Sequence, residues 1–132
     1  PSSPFLASFC PMYHETNAFW EMKLAASPRE AADYAGRKAG EYLADTEKLL
    51  KGDTGIKNPD TLQYLGELAA RAKKHLAEGN AAMEGVNSAD DEGIYRWAKA
   101  ARAFTRAQVY ALMARNIMEP PPEGPEEWLG EE

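Results

Sequence analysis

The stretch Asn58-Pro59-Asp60-Thr61-Leu62-Gln63-Tyr64-Leu65-Gly66-Glu67-Leu68-Ala69-Ala70-Arg71-Ala72-Lys73-Lys74-His75-Leu76-Ala77-Glu78-Gly79-Asn80-Ala81-Ala82-Met83 decides the fold class. Leu62, Leu65, Ala69, Ala72, Leu76 and Met83 recur at intervals of three, four or seven, with Gly79 in the remaining slot. Residues spaced this way share one face of an α-helix and cannot share one face of a strand. Asn58 is a strong helix cap, and Pro59 suits the first helical position, where its missing N–H costs nothing. Gly85 marks the end. The segment is an amphipathic helix with one apolar face to bury.

The same punctuation appears upstream and downstream. Ser27-Pro28-Arg29-Glu30 reads as a cap, a first-turn proline and the Glu of a capping box. The helix it opens runs through Tyr34 and Tyr42 to Leu49 and Leu50 and stops at Gly52. Its expected inward stripe is small: Ala32, Ala35, Gly36, Ala39, Gly40 and Leu43. Ser88-Ala89-Asp90-Asp91 caps a third helix reaching to about Met118. A short helix is expected from about Asn17 to Ala26, after an irregular arm over residues 1–14 that is broken by Pro1, Pro4 and Pro11. No segment alternates strictly enough to suggest a strand. The expected architecture is all-α: an antiparallel bundle of three long helices plus the short one, over residues 1–118, followed by an acidic, proline-rich tail over 119–132.

Composition narrows the class. The chain has 132 residues, enough for one domain with its own core. One cysteine, Cys10, allows neither an internal disulfide nor a multi-cysteine zinc site. No apolar run is long enough to cross a bilayer, and the start lacks a signal-peptide pattern, so a soluble cytoplasmic protein is expected. The net charge is −6, and six of the 21 acids (Glu119, Glu123, Glu126, Glu127, Glu131, Glu132) lie in the tail, which has no Lys or Arg. The 15 acids that remain balance the 15 bases. Within the tail, Pro120-Pro121-Pro122 favours extended geometry, and Trp128-Leu129 is an apolar pair that is costly to leave in water.

The third helix carries opposite faces. Ile94, Trp97, Ala98, Ala101, Phe104, Thr105, Gln108 and Leu112 are the expected core side. Arg96, Lys99, Arg102 and Arg106, interleaved with Tyr95 and Tyr110, are the expected outward side, and no Asp or Glu occurs between Gly93 and Met118. Cations with aromatics between them suit phosphate backbones and bases, but the overall acidity of the chain opposes nonspecific attraction to nucleic acid. The basic face also matches the acidic tail of the same chain, or of a neighbouring copy.

Chemistry is sparse. There is no phosphate-binding loop of Gly-x-x-x-x-Gly-Lys-Ser/Thr form, no Gly-x-Gly-x-x-Gly and no Gly-x-Ser-x-Gly. Neither histidine is preceded by Glu at three residues, which excludes the di-iron pattern of helical bundles. Cys10, Met12 and His14 are soft donors that suit Cu(I), set against a packing role for an arm that also carries Phe5 and Phe9. No cofactor is implied. The run from His75 to Gly85, with Gly79 one turn after the histidine, resembles the histidine phosphotransfer motif. That resemblance implies a phosphorylatable His75 exposed to a receiver domain by the small side of Gly79. The sequence departs from the family pattern at Glu78, where the family has a Lys to pair with the phosphoryl group.

The leading expectation is a non-catalytic interaction or assembly protein: an accessory subunit, adaptor or regulator. It would bind a protein partner, or itself as a homo-oligomer, through Tyr95, Arg96, Lys99, Arg102, Arg106 and Tyr110 and through Trp128 and Leu129. Phosphotransfer through His75 and nucleic-acid binding are the alternatives.

Overall fold

A computed structural model describes residues 27–120 of the chain. Three helices account for most of them: α1 (Pro28–Lys51), α2 (Pro59–Met83) and α3 (Asp91–Met118). Among the described residues there is no strand. The short Asn17–Ala26 helix, the arm with Cys10, Met12 and His14, and the tail beyond Pro120 fall outside the described residues.

Local chemistry sets the helix ends. The Asn58 side chain accepts from the Asp60 N–H at 2.9 Å, and Asp90 Oδ1 accepts from the Gly93 N–H at 2.8 Å. Both satisfy N–H groups that have no partner within the helix. The expected Ser27–Glu30 box does not form: Ser27 makes no side-chain cap bond. Pro28 has no N–H to satisfy, so α1 starts from backbone geometry alone, with Ala31 N–H donating to Ser27 O at 3.1 Å. At the far end of α2, Gly85 takes a left-handed φ of 75°, which lets the chain turn sharply toward α3.

The three helices form an antiparallel bundle in which α3 is the middle member. It packs along both neighbours, whereas α1 and α2 touch each other far less. The core is therefore two interfaces sharing one helix. At one end Trp97, Ile94, Ala98 and Ala101 cluster with Ala32 of α1 and Val86 of the α2–α3 loop. At the other end Leu65 and Leu68 of α2 pack on Ala114, with Leu50, Ile56 and Met118 beside them. Between these lie mostly alanines, and one large ring.

That ring is Phe104, only 1% exposed. It lies between Gly36 of α1 and Gly79 of α2. A Cβ on Gly36 would sit 2.9 Å from the ring, and one on Gly79 would overlap its edge. The two glycines are thus sockets for a single knob. Around it, Ala39, Ala100 and Ala107 are fully buried. Two polar bonds fix the α1–α3 register: Thr46 Oγ1 donates to Ala111 O at 2.9 Å, and Gln108 Nε2 donates to Ala35 O at 2.9 Å.

The inward faces differ in detail from the sequence expectation. On α2, Leu68 is fully buried, while Leu62, assigned to the stripe, is 39% exposed. On α3 the buried side is centred on Ala100, Ala107, Ala111 and Ala114, and Thr105, Gln108 and Leu112 lie at its edge. Large side chains dominate a periodicity reading, but α3 meets two helices at once. Small residues must occupy the middle of such a face for both axes to come near.

Gly79→Ala is expected to lose about 1–3 kcal/mol through overpacking of Phe104, despite the better helix propensity of alanine. Gly40→Ala, where a Cβ would meet nothing within 4 Å, is expected to gain about 0.5–1 kcal/mol. Urea denaturation of the two variants beside the parent reads both.

Candidate functional site

The six residues expected to form one basic-aromatic face of α3 divide in the structure. Arg96 turns toward α2: its guanidinium donates to Glu84 O at 2.8 Å and to Ala81 O at 3.5 Å. Those carbonyls belong to the end of α2, which has no basic residue in its own last turn. Arg96 therefore supplies the cation that a helix C-terminus favours, and its role is internal. Tyr110 also turns toward α2, half-buried between two core clusters. Its ring stacks on His75 with centroids 5.5 Å apart and planes 9° apart, and the Arg71 guanidinium lies 5.8 Å from its centroid. Tyr95 and Lys99 are exposed, and Arg102 and Arg106 are half-buried.

Continuing along α3, the outward side changes character. Val109, Met113 and Ile117 are 44%, 40% and 37% exposed. Spaced by four, they share one helix face, and by helical geometry that face continues the one bearing Arg102 and Arg106. Sequence reasoning passed over them, because three apolar residues in an otherwise apolar-rich helix do not announce which side they occupy. The α2–α3 register sets which residues of the two helices lie level. Gly79 meets Phe104, Ala72 packs with Ala111, and Leu68 packs with Ala114. That antiparallel progression brings Tyr64, itself 40% exposed, level with the end of α3 near Ile117. On α3 the outward side is therefore apolar at the end bearing Val109, Met113 and Ile117, and the other end carries Lys99 and Arg106. Among the described residues neither cation pairs with an acid.

His75 lies beside Tyr110 with its side chain 15% exposed. Its Nδ1 lies 3.1 Å from Glu78 Oε2. The contact with the Glu78 carboxylate holds the ring in this orientation. The stacked Tyr110 ring covers one side of the imidazole, and Glu78 would repel an added phosphoryl group. Gly79, the residue on which the phosphotransfer resemblance turns, faces Phe104 inside the bundle. Its small size is spent on helix packing rather than on opening the imidazole to a second protein.

Among the described residues no group of three or more His, Cys, Asp or Glu side chains could hold a metal ion. No helix among them is long and apolar enough to cross a membrane. The Cys10, Met12 and His14 set and the Trp128-Leu129 pair lie outside the described residues. No protein family, curated protein or solved structure matches the chain.

Incubation with a phosphorylated receiver domain is expected to give no phosphoryl transfer to the protein. Transfer that disappears in His75→Gln would show the opposite. A second expectation concerns Arg96. Arg96→Ala is expected to lower stability by about 1 kcal/mol, the scale of a lost hydrogen bond to a charged donor at a partly exposed site, as read by thermal or urea unfolding.

Proposed function

We propose that this is a non-catalytic interaction or assembly protein whose recognition surface is the outward side of α3. The observation that carries this reading is the Val109, Met113 and Ile117 stripe, left exposed on a helix whose other side is packed against two neighbours. Apolar side chains grouped on one exposed face are a common mark of a binding surface. Lys99 and Arg106 on the same helix add a positive end, which selects partners with acidic character and speeds encounter more than it adds affinity.

The proposal keeps the basic residues of the sequence reading but shifts the weight. Arg96 and Tyr110 are engaged within the bundle, so the contact energy rests on apolar burial by the three-residue stripe and Tyr64. The partner is a protein, either another chain type or a second copy. Nucleic-acid binding has less support, because two of the six expected residues face α2 and the chain is acidic as a whole.

The test uses Val109→Glu combined with Met113→Glu. Both sites are exposed, so the unfolding midpoint is expected to stay within about 0.5 kcal/mol of the parent in stability terms. Association, read as mass by sedimentation or as partner recovery from native extract, is expected to be lost. A folded double variant that associates as the parent does would remove the α3 face from consideration.

A further inference from the structure

We propose that the occupant of the α3 face is a second copy of this chain, docked antiparallel across a two-fold axis beside Met113. This pairing rests on the reading of that face as a binding surface and names its partner. A helix face pairs with itself when its apolar residues and its charges both match after reversal.

On α3 both conditions hold. Val109, Met113 and Ile117 are spaced evenly by four, with Met113 at the centre. Reversal about Met113 sets Val109 of each copy against Ile117 of the other, and Met113 against Met113, so every apolar residue of the stripe meets an apolar residue. Methionine adapts its shape to such a self-contact. A parallel pairing would match the stripe equally well, but it would set Arg106 against Arg106 and Lys99 against Lys99, with no acid between Gly93 and Met118 to relieve them. Antiparallel pairing instead carries Arg106 level with Glu119 and Pro120 of the second copy, just beyond the end of its α3. A helix C-terminus favours a cation, and Glu119 is exposed there.

The neighbouring helix makes the same match. Arg71 lies over the Tyr110 ring, and Tyr110, Met113 and Ile117 share a side of α3 by their spacing of three and four. The side of α2 that carries Arg71 thus borders the docking face, and Glu67, one turn before Arg71, lies on that side too. Both are exposed, and among the described residues neither forms an ion pair. Ala72 packs with Ala111 and Leu68 with Ala114, so the point of α2 level with Met113 falls between Glu67 and Arg71. Reversal about that point sets Glu67 of each copy opposite Arg71 of the other. Exposed pairs of this kind contribute about 0–1 kcal/mol each, so they select the orientation while the apolar stripe supplies the contact. Three apolar side chains from each copy make a small interface, and the dimer exchanges readily with monomer.

In a Cys10→Ser background, Met113→Cys places the only thiol of each full-length chain beside the two-fold axis, and Lys99→Cys places it fourteen residues away, about 21 Å of helix rise. Mild oxidation is expected to link Met113→Cys chains into dimers at a rate that rises with protein concentration, and to link Lys99→Cys chains many-fold more slowly. Glu67→Arg and Arg71→Glu, both at exposed sites, are each expected to weaken self-association several-fold in sedimentation at low salt, and the two together to restore it. No linkage through Met113→Cys, equal linkage through Lys99→Cys, or a double variant as weak as the single ones would overturn the two-fold pairing. A chain that stays monomeric, yet loses a different protein partner through Val109→Glu with Met113→Glu, would overturn the pairing and leave the broader reading intact. The broader reading fails separately, when that variant associates as the parent does.

Discussion

The bundle depends on one steric arrangement: the Phe104 ring set between Gly36 and Gly79. Phe104 is the largest side chain that the core encloses completely, and it touches the two helices that have least to do with each other. Burying a phenylalanine contributes about 1.5–3 kcal/mol. Its geometric effect is larger than that figure suggests. The ring fits only where both flanking backbones lack a Cβ, so it fixes the axial position of α1 and α2 relative to α3 at once. Around the ring, alanines allow close approach but specify little, because small smooth surfaces slide. The knob and its two sockets provide the specificity that Ala39, Ala100 and Ala107 do not.

Much of the fold was legible in the sequence, and for identifiable reasons. Asn58-Pro59 and Asp90 announce helix starts through hydrogen bonds that involve only their own next few residues, so no tertiary knowledge is needed. The stripe through Ala32, Ala39 and Leu43 follows from spacing alone. Features that need two helices to be seen together were not legible. Gly79 reads as a way to uncover His75 until Phe104 is found beside it. Arg96 reads as a surface cation until the end of α2 arrives with unsatisfied carbonyls. Tyr110 reads as an outward aromatic until His75 and Arg71 stack on it. In each case the residue type was noticed and its partner, which lies far off in sequence, was missing. Ser27 shows the reverse: a motif that is complete in sequence but unused, because Pro28 already orders the first turn.

The candidate site followed the same logic. Charge pattern drew attention to α3, in the half whose cations are partly engaged. The half left bare is apolar, and apolar residues signal their exposure only through structure. A helix packed on two sides has one side to spare, and on α3 that side changes from cationic to oily along its length.

The sparse contact between α1 and α2 has a mechanical consequence. Each is seated on α3 and is located relative to the other almost wholly through it. A load applied to the bare side of α3, whether a push along its axis or a small roll, is therefore transmitted to both neighbours together, as an axle moves two wheels that do not touch. Whatever settles on that side grips the shared shaft of the molecule.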